Sequence, residues 1–478
     1  MKYFLFTFAL ICFCHFVFAQ EPLDLGSNRE LFVDDYLIDK LDNLSLKMHE
    51  PVLRDVSFKF DQPWEGIYCS YVTMIYDNGK YRAYYRGGPQ PGHRDGDPSE
   101  ALCVAFSDDG IHWTKPKLGL VERDGSKENN IVMTNIPNLM HNFAPMIDEG
   151  HGVPPEERYK ALTGTIHAGG LFAFSSSNGL VCKKMSEQPV LEKIEQYRYA
   201  YDSQNVPLWS PSENCYVAYF RVVMPPFKRY IARATSKDFL HWENVQTMDV
   251  IHDGQPAPFE QFYTNQTSTY FRAPHIYVAT PARFMENRQV LTEEQAKEAK
   301  VDPKYFKDCS DAILLTSRGG NRYDRTFMEP LMRPGIGIQN WVSRTNYPAR
   351  NIVPTDKNEM SLYVNANYAT PDAELRRYTF RLDGFASLHA PYTGGTFVSK
   401  SLNFSTSAAG GLKVQLEQTN GMPYPGFALD DCKEIIGDEI ARDVLWKNGS
   451  DVSSLTGKIM RIRVAMRDAD LYSLKFEE

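Results

Sequence analysis

Three carboxylates of this chain lie just ahead of predicted strands, where they could act together on one ligand. Glu65 is in a loop, Asp202 lies three residues before Asn205, and Glu260 lies five residues before Asn265. Cleavage of a glycosidic bond typically needs two carboxyl groups on either side of the bond, one as acid and one as base or nucleophile. We therefore expect Glu65 and Asp202 to form a catalytic pair, with Glu260 in reserve.

The neighbours of this pair indicate which carboxyl group holds a proton. A hydrolase at its working pH needs one carboxyl group protonated and the other ionised. Glu65 follows Trp64, an apolar neighbour that favours the neutral form, so Glu65 is the expected acid. Asp202 precedes Gln204 and Asn205, whose amide donors favour the charged form, so Asp202 is the expected base or nucleophile.

Polar and aromatic side chains that could bind a ligand recur near the ends of predicted strands. Converging polar groups in a concave site are the usual form of a ligand pocket. The alternative is that the amides satisfy backbone groups where repeats crowd together, and that the tryptophan packs its own loop instead of a sugar ring. The candidate substrate-binding residues are Trp64, Arg86, His141, Asn142, Gln204, Asn205, Asn265, Arg344 and Asn346.

Four arginines recur at or near strand ends: Arg86, Arg221, Arg283 and Arg344. Arginine is suited to bidentate contact with carboxylate or sulfate groups. The hypothesis is that the substrate is anionic, as uronic or sulfated polysaccharides are. The alternative is that these arginines form ion pairs between repeats.

A recurring hairpin must position these side chains. Apolar alternation leads into Asp109-Gly110, a tight-turn signal within residues 107–113. Degenerate copies follow at intervals of about 60 to 80 residues, as expected if each repeat is one small sheet of a β-propeller. The copies lie at residues 175–179, 235–242, 316–323 and 381–385.

The fold class predicted from this pattern is all-β, with a five-bladed β-propeller over residues 20–385. The innermost strands should start near Tyr71, Asn142, Asn205, Asn265 and Asn346, which brings their preceding side chains to one mouth of the central channel. A short helix is predicted within residues 291–305, as an insertion in the fourth repeat that shapes this mouth.

Residues 386–478 have a different sequence pattern from the predicted propeller. Apolar and polar residues alternate with period two in several stretches, among them residues 412–416 and 460–464. Such strands suit a β-sandwich with one wet face, whose expected role is to pack against the propeller.

The N-terminal residues 1–19 read as a secretory signal peptide, with Lys2 ahead of an apolar run and Ala19 at the expected cleavage point. We expect a soluble protein that is periplasmic or secreted, with no membrane contact after cleavage. The net charge of −8 gives no reason to expect nucleic acid. Six cysteines follow the signal peptide without metal-ligand spacing, so neither a metal nor another cofactor is expected.

The five hairpins, the polar residues at the strand starts and the β-rich tail resemble the five-bladed propeller glycoside hydrolases of families 32 and 43. Residues 31–38 are also similar to a stretch that begins a group of largely uncharacterised exported bacterial proteins. In those hydrolases one acid comes from each of the first three blades. By position, the resemblance puts Glu65 in blade one and Asp202 in blade three, while blade two offers His141 and Asn142.

The sequence therefore favours an exported glycoside hydrolase that acts on a plant or algal polysaccharide or its oligosaccharides. The Asn-Asp-Pro-Asn, Arg-Asp-Pro and Glu-Cys motifs of family 32 do not occur in it. Two alternatives stay open: a carbohydrate-binding propeller without catalysis, and a lyase or sialidase-like propeller enzyme. Hydrolysis needs the carboxylate pair, whereas binding needs only the aromatic and amide groups.

Overall fold

Three N-terminal strands open the fold: β1 (Arg29–Leu31), β2 (Ser45–Met48) and β3 (Val52–Lys59). Each of them pairs with a strand from far along the chain. The computed structural model describes residues 26–88, 97, 99–136, 138–397 and 402–476. The predicted signal peptide lies outside these residues.

The first two blades are antiparallel sheets built from consecutive strands, with the first strand innermost. Blade one contains β4 (Ser70–Asp77), β5 (Lys80–Gly87), β6 (Ala101–Ser107), β7 (Trp113–Thr114) and β8 (Ile131–Thr134). Blade two contains β9 (Ala144–Ile147), β10 (Tyr159–Thr163), β11 (Gly170–Ser176), β12 (Lys183–Lys184) and β13 (Leu191–Glu192).

Blade three repeats this plan, and blade four carries an insertion at its mouth end. Blade three contains β14 (Tyr199–Ala200), β15 (Val206–Ser210), β16 (Cys215–Met224), β17 (Lys228–Ser236) and β18 (Trp242–Thr247). Blade four contains β19 (Asp249–His252), β20 (Gln255–Pro256), β21 (Ser268–Tyr270), β22 (Ala273–Ala279), β23 (Ala282–Met285), β24 (Cys309–Ala312), β25 (Leu315–Ser317) and β26 (Arg322–Asp324).

The insertion between β23 and β24 contains the predicted helix, α1 (Glu293–Glu298). Thr292 caps its N-terminus and Gln295 bonds back to the Thr292 N–H group, so the two side chains form a capping box. The helix prediction is confirmed, with shorter bounds than the sequence pattern. Short 3-10 turns occur at Pro155–Glu157, Ile166–Ala168, Ile338–Trp341 and Ser453–Leu455.

Blade five closes the ring with an N-terminal strand. It contains β27 (Tyr347–Pro348), β28 (Val353–Pro354), β29 (Glu359–Ala366) and β30 (Glu374–Arg381), and its outermost strand is β3. The prediction of a fifth blade hairpin at residues 381–385 was therefore wrong. The chain leaves the propeller there, because β3 already occupies the outer edge and ties the two ends of the ring together.

The innermost strands surround one axis. In space β4 contacts β9, β9 contacts β15, β15 contacts β21, and β28 contacts β4. Arg350, in the segment just before β28, also forms a β-bridge to Thr73 of β4. The first four of these strands begin near the predicted positions, and in blade five β27 begins next to Asn346, so the five-bladed arrangement is confirmed. The hairpin of residues 107–113 joins the outer strands β6 and β7 and does not line the axis.

A side-chain-capped turn closes the outer hairpin of the first three blades. In blade one Ser107 Oγ accepts the Gly110 N–H group at 2.8 Å, and Asp109 Oδ1 accepts the next two backbone N–H groups. Gly110 has a φ of +76°, which suits glycine. The matching residues are Ser176, Asn178 and Gly179 in blade two and Ser236, Asp238 and Phe239 in blade three.

The tail forms one seven-stranded antiparallel sheet, which also takes in β1 and β2. Leu412, Val414 and Trp446 belong to its buried core. A division of this sheet into the two layers of a sandwich, with a boundary at residue 386, stays a prediction. The tail strands are β31 (Ala386–Ala390), β32 (Gly395–Phe397), β33 (Leu402–Glu417), β34 (Asp438–Arg442) and β35 (Arg461–Lys475).

Two further features of the described residues bear on the expected class of protein. The six cysteines among these residues are all free thiols. None of the helices described here is both long enough and apolar enough to span a bilayer.

Candidate functional site

Side chains from all five blades meet where the innermost strands begin, at the end of the propeller that we call the mouth. The Arg86 Cζ atom lies 4.8 Å from the centre of the Tyr71 ring. The Arg221 and Arg344 Cζ atoms lie 4.1 Å and 5.3 Å from the centre of the Tyr263 ring. We define the mouth cluster as Tyr71, Arg86, His141, Asp202, Arg221, Tyr263 and Arg344.

Both tyrosines of the cluster are buried beneath the arginines. The pKa of Tyr71 is raised to about 12, first by burial and then by Tyr263, against the lowering effect of the three arginines. The Tyr71 hydroxyl group is therefore neutral around pH 7, with its proton available for donation.

His141 connects the cluster to a second carboxylate, Glu100. The His141 Nδ1 atom lies 2.9 Å from Arg86 Nη1 and 3.0 Å from Glu100 Oε1. One ring nitrogen cannot accept from Arg86 and donate to Glu100 at the same time. The partner of Nδ1 therefore depends on whether this atom carries a proton, which suits His141 to proton transfer.

Asp202 and Arg221 form the charged pair of blade three. Arg221 Nη2 donates to the Asp202 carboxylate and, at 3.0 Å, to the Asp202 carbonyl oxygen. The Asp202 side chain is 32% exposed, whereas that of Arg221 is only 3% exposed. The Nε and Nη1 atoms of Arg221 are buried and have no hydrogen-bond partner within the described part of the chain.

The blade-four insertion supplies the far wall of the mouth. Arg344 Cζ lies 4.6 Å from the centre of the Tyr305 ring, which follows α1. Tyr68 donates a hydrogen bond to Asp302 of the same insertion, and its ring is 6.0 Å from that of Tyr368. The insertion is thus fixed to blades one and five, as expected for a segment that shapes a binding mouth.

The structure places Glu65 away from this cluster. Its side chain is completely buried, with Oε1 accepting from Tyr85 and Oε2 accepting from Lys115 at 2.7 Å and from the Gln62 N–H group. Burial raises the pKa of Glu65, against the lowering effect of Lys115. The described contacts of Glu65 include neither Asp202 nor Glu260, so the structure does not bring the expected catalytic pair together.

Glu260 lies beside the mouth, in a cavity of about 640 Å³ at blade four. Its Oε1 atom is 2.6 Å from Arg283 Nη1, and its Oε2 atom is 3.2 Å from Arg325 Nε. Arg283 also pairs with Asp311 at 2.5 Å. Of the four arginines singled out in the sequence, Arg283 thus forms ion pairs within its own blade and not between repeats, and the other three belong to the mouth cluster.

The amides before the innermost strands are buried and bond chiefly to backbone groups, which is the alternative that the sequence left open. Asn142 donates to the Gly164 carbonyl oxygen at 2.9 Å, and Gln204 donates to that of Tyr71 at 3.0 Å. Asn205 and Asn346 donate to the Tyr201 and Asn340 carbonyl oxygens at 3.4 Å and 2.9 Å. Asn265 instead donates to the side-chain sulfur of Met248 at 3.3 Å. These side chains hold neighbouring blades together beneath the mouth.

Trp64 likewise packs within the protein. Its ring lies against the buried residues between blades one and five, and its Nε1 atom donates to Asn130 Oδ1 at 2.7 Å. The apolar part of Trp64 therefore packs in the core, and its polar nitrogen has a hydrogen-bond partner.

Sequence reasoning missed Tyr71 and Tyr263 of the mouth cluster, and Glu100 beside it. A tyrosine near a strand start is indistinguishable from a core residue by pattern alone. Glu100 precedes β6, the third strand of its blade, whereas the expected acids precede first strands. Tyr71 did carry a signal, since it lies at the start of β4, where the sequence predicts an innermost strand.

Several solved propeller glycoside hydrolases are similar to this chain in fold, and that resemblance is confirmed. A thermostable family-43 glycoside hydrolase is 11% identical, with a TM-score of 0.41 over 68% of this chain and 93% of that chain. A fructofuranosidase from Schwanniomyces occidentalis, complexed with fructosylnystose, is 9% identical, with a TM-score of 0.39 over 88% of this chain and 96% of that chain.

An N-acetylgalactosamine deacetylase from F. plautii, in complex with blood group B trisaccharide, is 11% identical, with a TM-score of 0.46 over 71% of this chain and 96% of that chain. No family model matches the sequence, and no curated protein matches it.

Proposed function

We propose that the protein is a carbohydrate-active enzyme that cleaves glycosidic bonds of an acidic glycan held at the mouth cluster. The observation that carries the proposal is the convergence of Arg86, Arg221 and Arg344 on the rings of Tyr71 and Tyr263. The buried tyrosine rings hold the guanidinium groups in place by cation–π contact, and these groups offer donors for the charged substituent of a sugar.

Arg221 gives the strongest reason for an anionic ligand. A buried N–H group without an acceptor costs roughly 1–3 kcal/mol, and more when it is charged. Two such nitrogens of Arg221 have no partner in the described residues. A carboxylate or sulfate group at the mouth would accept from them and remove this cost.

Asp202 and His141 are the groups proposed to act on the bond. Arg221 donates to Asp202 and fixes its carboxylate at the mouth, where we propose that it acts as base or nucleophile at the anomeric carbon. His141, beside Glu100, would pass the proton to the leaving oxygen. Water adds across the linkage, with its hydroxyl group going to the anomeric carbon and its proton restoring the acid.

We also propose that the enzyme works in the periplasm or outside the cell, because residues 1–19 have the features of a signal peptide. In either place the enzyme would have access to polymeric glycans. N-terminal sequencing of protein recovered from periplasm and culture medium tests this: a mature chain that begins at Gln20 is expected, and recovery of the intact chain from the cytoplasm alone contradicts it.

The experiment that tests the activity is a glycan panel read by mass spectrometry. Uronic-acid-containing, sulfated and neutral polysaccharides are incubated with the purified protein, and the products are weighed. Hydrolysis of an acidic member, with one water added per cleavage, is the expected result. Binding of acidic polysaccharides without any product would favour the carbohydrate-binding propeller without catalysis. Cleavage of neutral polysaccharides alone would contradict the proposal.

A second candidate function, elimination from a uronic acid, is favoured by one contact. The rings of Tyr71 and His141 lie 5.7 Å apart, and Arg86 touches both. Arg86 would neutralise the uronate, His141 would remove the proton beside it, and the neutral Tyr71 hydroxyl would protonate the leaving oxygen. The same panel separates the two reactions, because elimination adds no water and leaves an unsaturated product that absorbs ultraviolet light.

A further inference from the structure

The cavity at blade four adjoins the mouth and extends away from the propeller axis. Its volume of about 640 Å³ falls within the range of about 300–1,000 Å³ found for ligand pockets. Its walls come from the β16–β17 turn, the segment before β21 and the start of the insertion after β23. Lining residues include Lys228, Phe259, Glu260, Phe284, Glu286 and Arg288.

Two side chains connect this cavity to the mouth cluster. The Phe284 ring, which lines the cavity, lies 5.3 Å from the ring of Tyr263. The Arg229 Cζ atom lies 4.6 Å from the Phe284 ring centre and 5.5 Å from that of Tyr263. These two side chains thus lie between the mouth cluster and the cavity, so the two sites are close enough for one glycan chain to bind at both.

The carboxylates of the cavity are already occupied by cations. Arg283 and Arg325 hold Glu260, and Lys228 holds Glu286 at 3.3 Å. Arg288 is an exposed cation of the lining without a side-chain partner among the described residues. The surplus of charge in the cavity is therefore positive.

A second unsatisfied donor lies next to the cavity. The Arg229 Nη1 atom is buried and has no hydrogen-bond partner in the ranges that the structure describes. Its nearest carboxylate oxygen, Glu286 Oε1, is 3.8 Å away, beyond normal hydrogen-bond length. Among the described residues, Arg229 Nη1 thus lacks a hydrogen-bond acceptor, and Arg288 lacks a side-chain partner.

Phe259 provides an apolar platform at the same place. It is 56% exposed, yet its ring is fixed by stacking on Tyr230 at 5.3 Å, and Tyr230 in turn stacks on Phe262 at 5.4 Å. An exposed aromatic ring with a fixed orientation suits the apolar face of a sugar.

We infer that this cavity is a distal subsite, which binds a further charged sugar unit of the glycan held at the mouth through Phe259, Arg229 and Arg288. The inference rests on the proposed function and adds to it that the substrate is a chain of several sugar residues with repeated anionic groups. The anionic group is a carboxylate or a sulfate, since both accept from guanidinium donors.

Calorimetric titration of the full chain tests this subsite. The probes are oligogalacturonates and sulfated galactan oligosaccharides, each with two and with six sugar residues, and the two series separate carboxylate from sulfate. The variants are Phe259→Ala and Arg288→Gln. Matched controls in the same blade are Phe271→Ala, whose ring is 38% exposed, and Arg333→Gln at an exposed ion pair.

In one acidic series the six-residue probe should bind at least about tenfold more tightly than the two-residue probe. Each subsite variant should remove most of this gain and leave the two-residue affinity unchanged, and the controls should change neither value. A gain that survives in both subsite variants overturns the distal subsite and leaves the proposed function standing. Absence of binding by both acidic series overturns the proposed function together with the subsite.

Discussion

The two ends of the propeller use their side chains in different ways. At the turn end, a serine and an aspartate or asparagine accept the same backbone N–H groups in blades one, two and three. At the mouth, the five blades contribute different residue types, and these meet one another across blade boundaries. Uniform local contacts at one end hold each hairpin, whereas the other end brings unlike groups to one place.

This difference indicates where a change should affect activity and where it should affect stability. Turn-end bonds join residues only two or three positions apart, so each one supports a single hairpin. Mouth contacts such as Arg86 with His141 join separate blades around a polar, partly open site. Glu65 is an intermediate case. In sequence it lies close to residues of the mouth cluster, but its carboxylate is held by Tyr85 and Lys115 and has a structural role.

The largest effect is expected for Asp202→Asn. Removal of the charged carboxylate beside Arg221 should lower kcat/KM on the cleaved acidic glycan by about 100- to 10,000-fold, the range for loss of a general acid–base group. The melting temperature should change little, because the Asp202 side chain is partly exposed. The matched control is Asp238→Asn at the turn end, where blade two naturally has Asn178. Equal activity of both variants would remove Asp202 from the mechanism.

The next effect concerns affinity. Arg221→Met keeps the length of the side chain but removes its donors, and should weaken binding of acidic glycan by about 10- to 100-fold, since hydrogen bonds to charged groups contribute about 1.5–3 kcal/mol. Neutral glycan should bind the variant and the wild type alike. Arg158→Met breaks an ion pair with Asp77 at the turn end and serves as the control. A parallel loss for neutral glycan would show that Arg221 supports the fold of the mouth and not the anion.

Glu65→Gln should affect stability and leave activity nearly unchanged. The amide can still accept from Tyr85, but Lys115, whose side chain is 15% exposed, loses one of its two carboxylates and keeps Asp61. We expect the free energy of unfolding to fall by about 2 kcal/mol in urea titrations, as for other hydrogen bonds to charged groups. A loss of kcat/KM comparable to that of Asp202→Asn would instead return Glu65 to the catalytic machinery.

The pH dependence of stability should also distinguish Glu65, as a structural group, from the residues of the mouth cluster. Burial raises its pKa above the ordinary value of 4.5. The unfolded chain therefore ionises first as the pH rises, and the contribution of Glu65 to stability is full below pH 4.5 and is lost as the pH passes its folded pKa. Unfolding titrations of the wild type from pH 4 to pH 8 should show this decline. The slope should be shallower in Glu65→Gln, and identical slopes would contradict the assignment.

The parts of the fold that were predictable from sequence depend on local contacts. The Ser107 to Trp113 turn is specified by side chains that bond to backbone a few residues away, so its copies in other blades were visible as well. Blade five was not visible in this way. Its outer strand pairs Asp55 with Arg377, which are 322 positions apart, and no local signal encodes such a pairing.

The residues of the candidate site also divide into those that a local signal identifies and those that depend on distant parts of the chain. The arginines were found because charged residues at strand ends are conspicuous, and three of the four do meet at the mouth. The orientation of the Glu65 side chain was not predictable, since it depends on Lys115 and Tyr85, which lie further along the chain. The amides do lie at or just before the innermost strands, but whether an amide faces a ligand or a backbone carbonyl depends on how closely the blades pack.

The smallest effect is expected at the turn end, for Asp238→Ala. Burial of Asp238 is outweighed by hydrogen bonds from His241 and from two backbone N–H groups, which hold its pKa below the ordinary value of 3.8. Loss of these bonds should cost about 1 kcal/mol in the free energy of unfolding at pH 7. Because a lowered pKa contributes stability above pH 3.8 that is lost as the pH falls through the folded value, the difference between wild type and Asp238→Ala should shrink in acid. Asp238→Asn should retain the backbone bonds at every pH, as Asn178 does in blade two. Activity should be unchanged in both variants, and any loss of kcat/KM beyond a factor of about two would show that the two ends of the propeller are coupled.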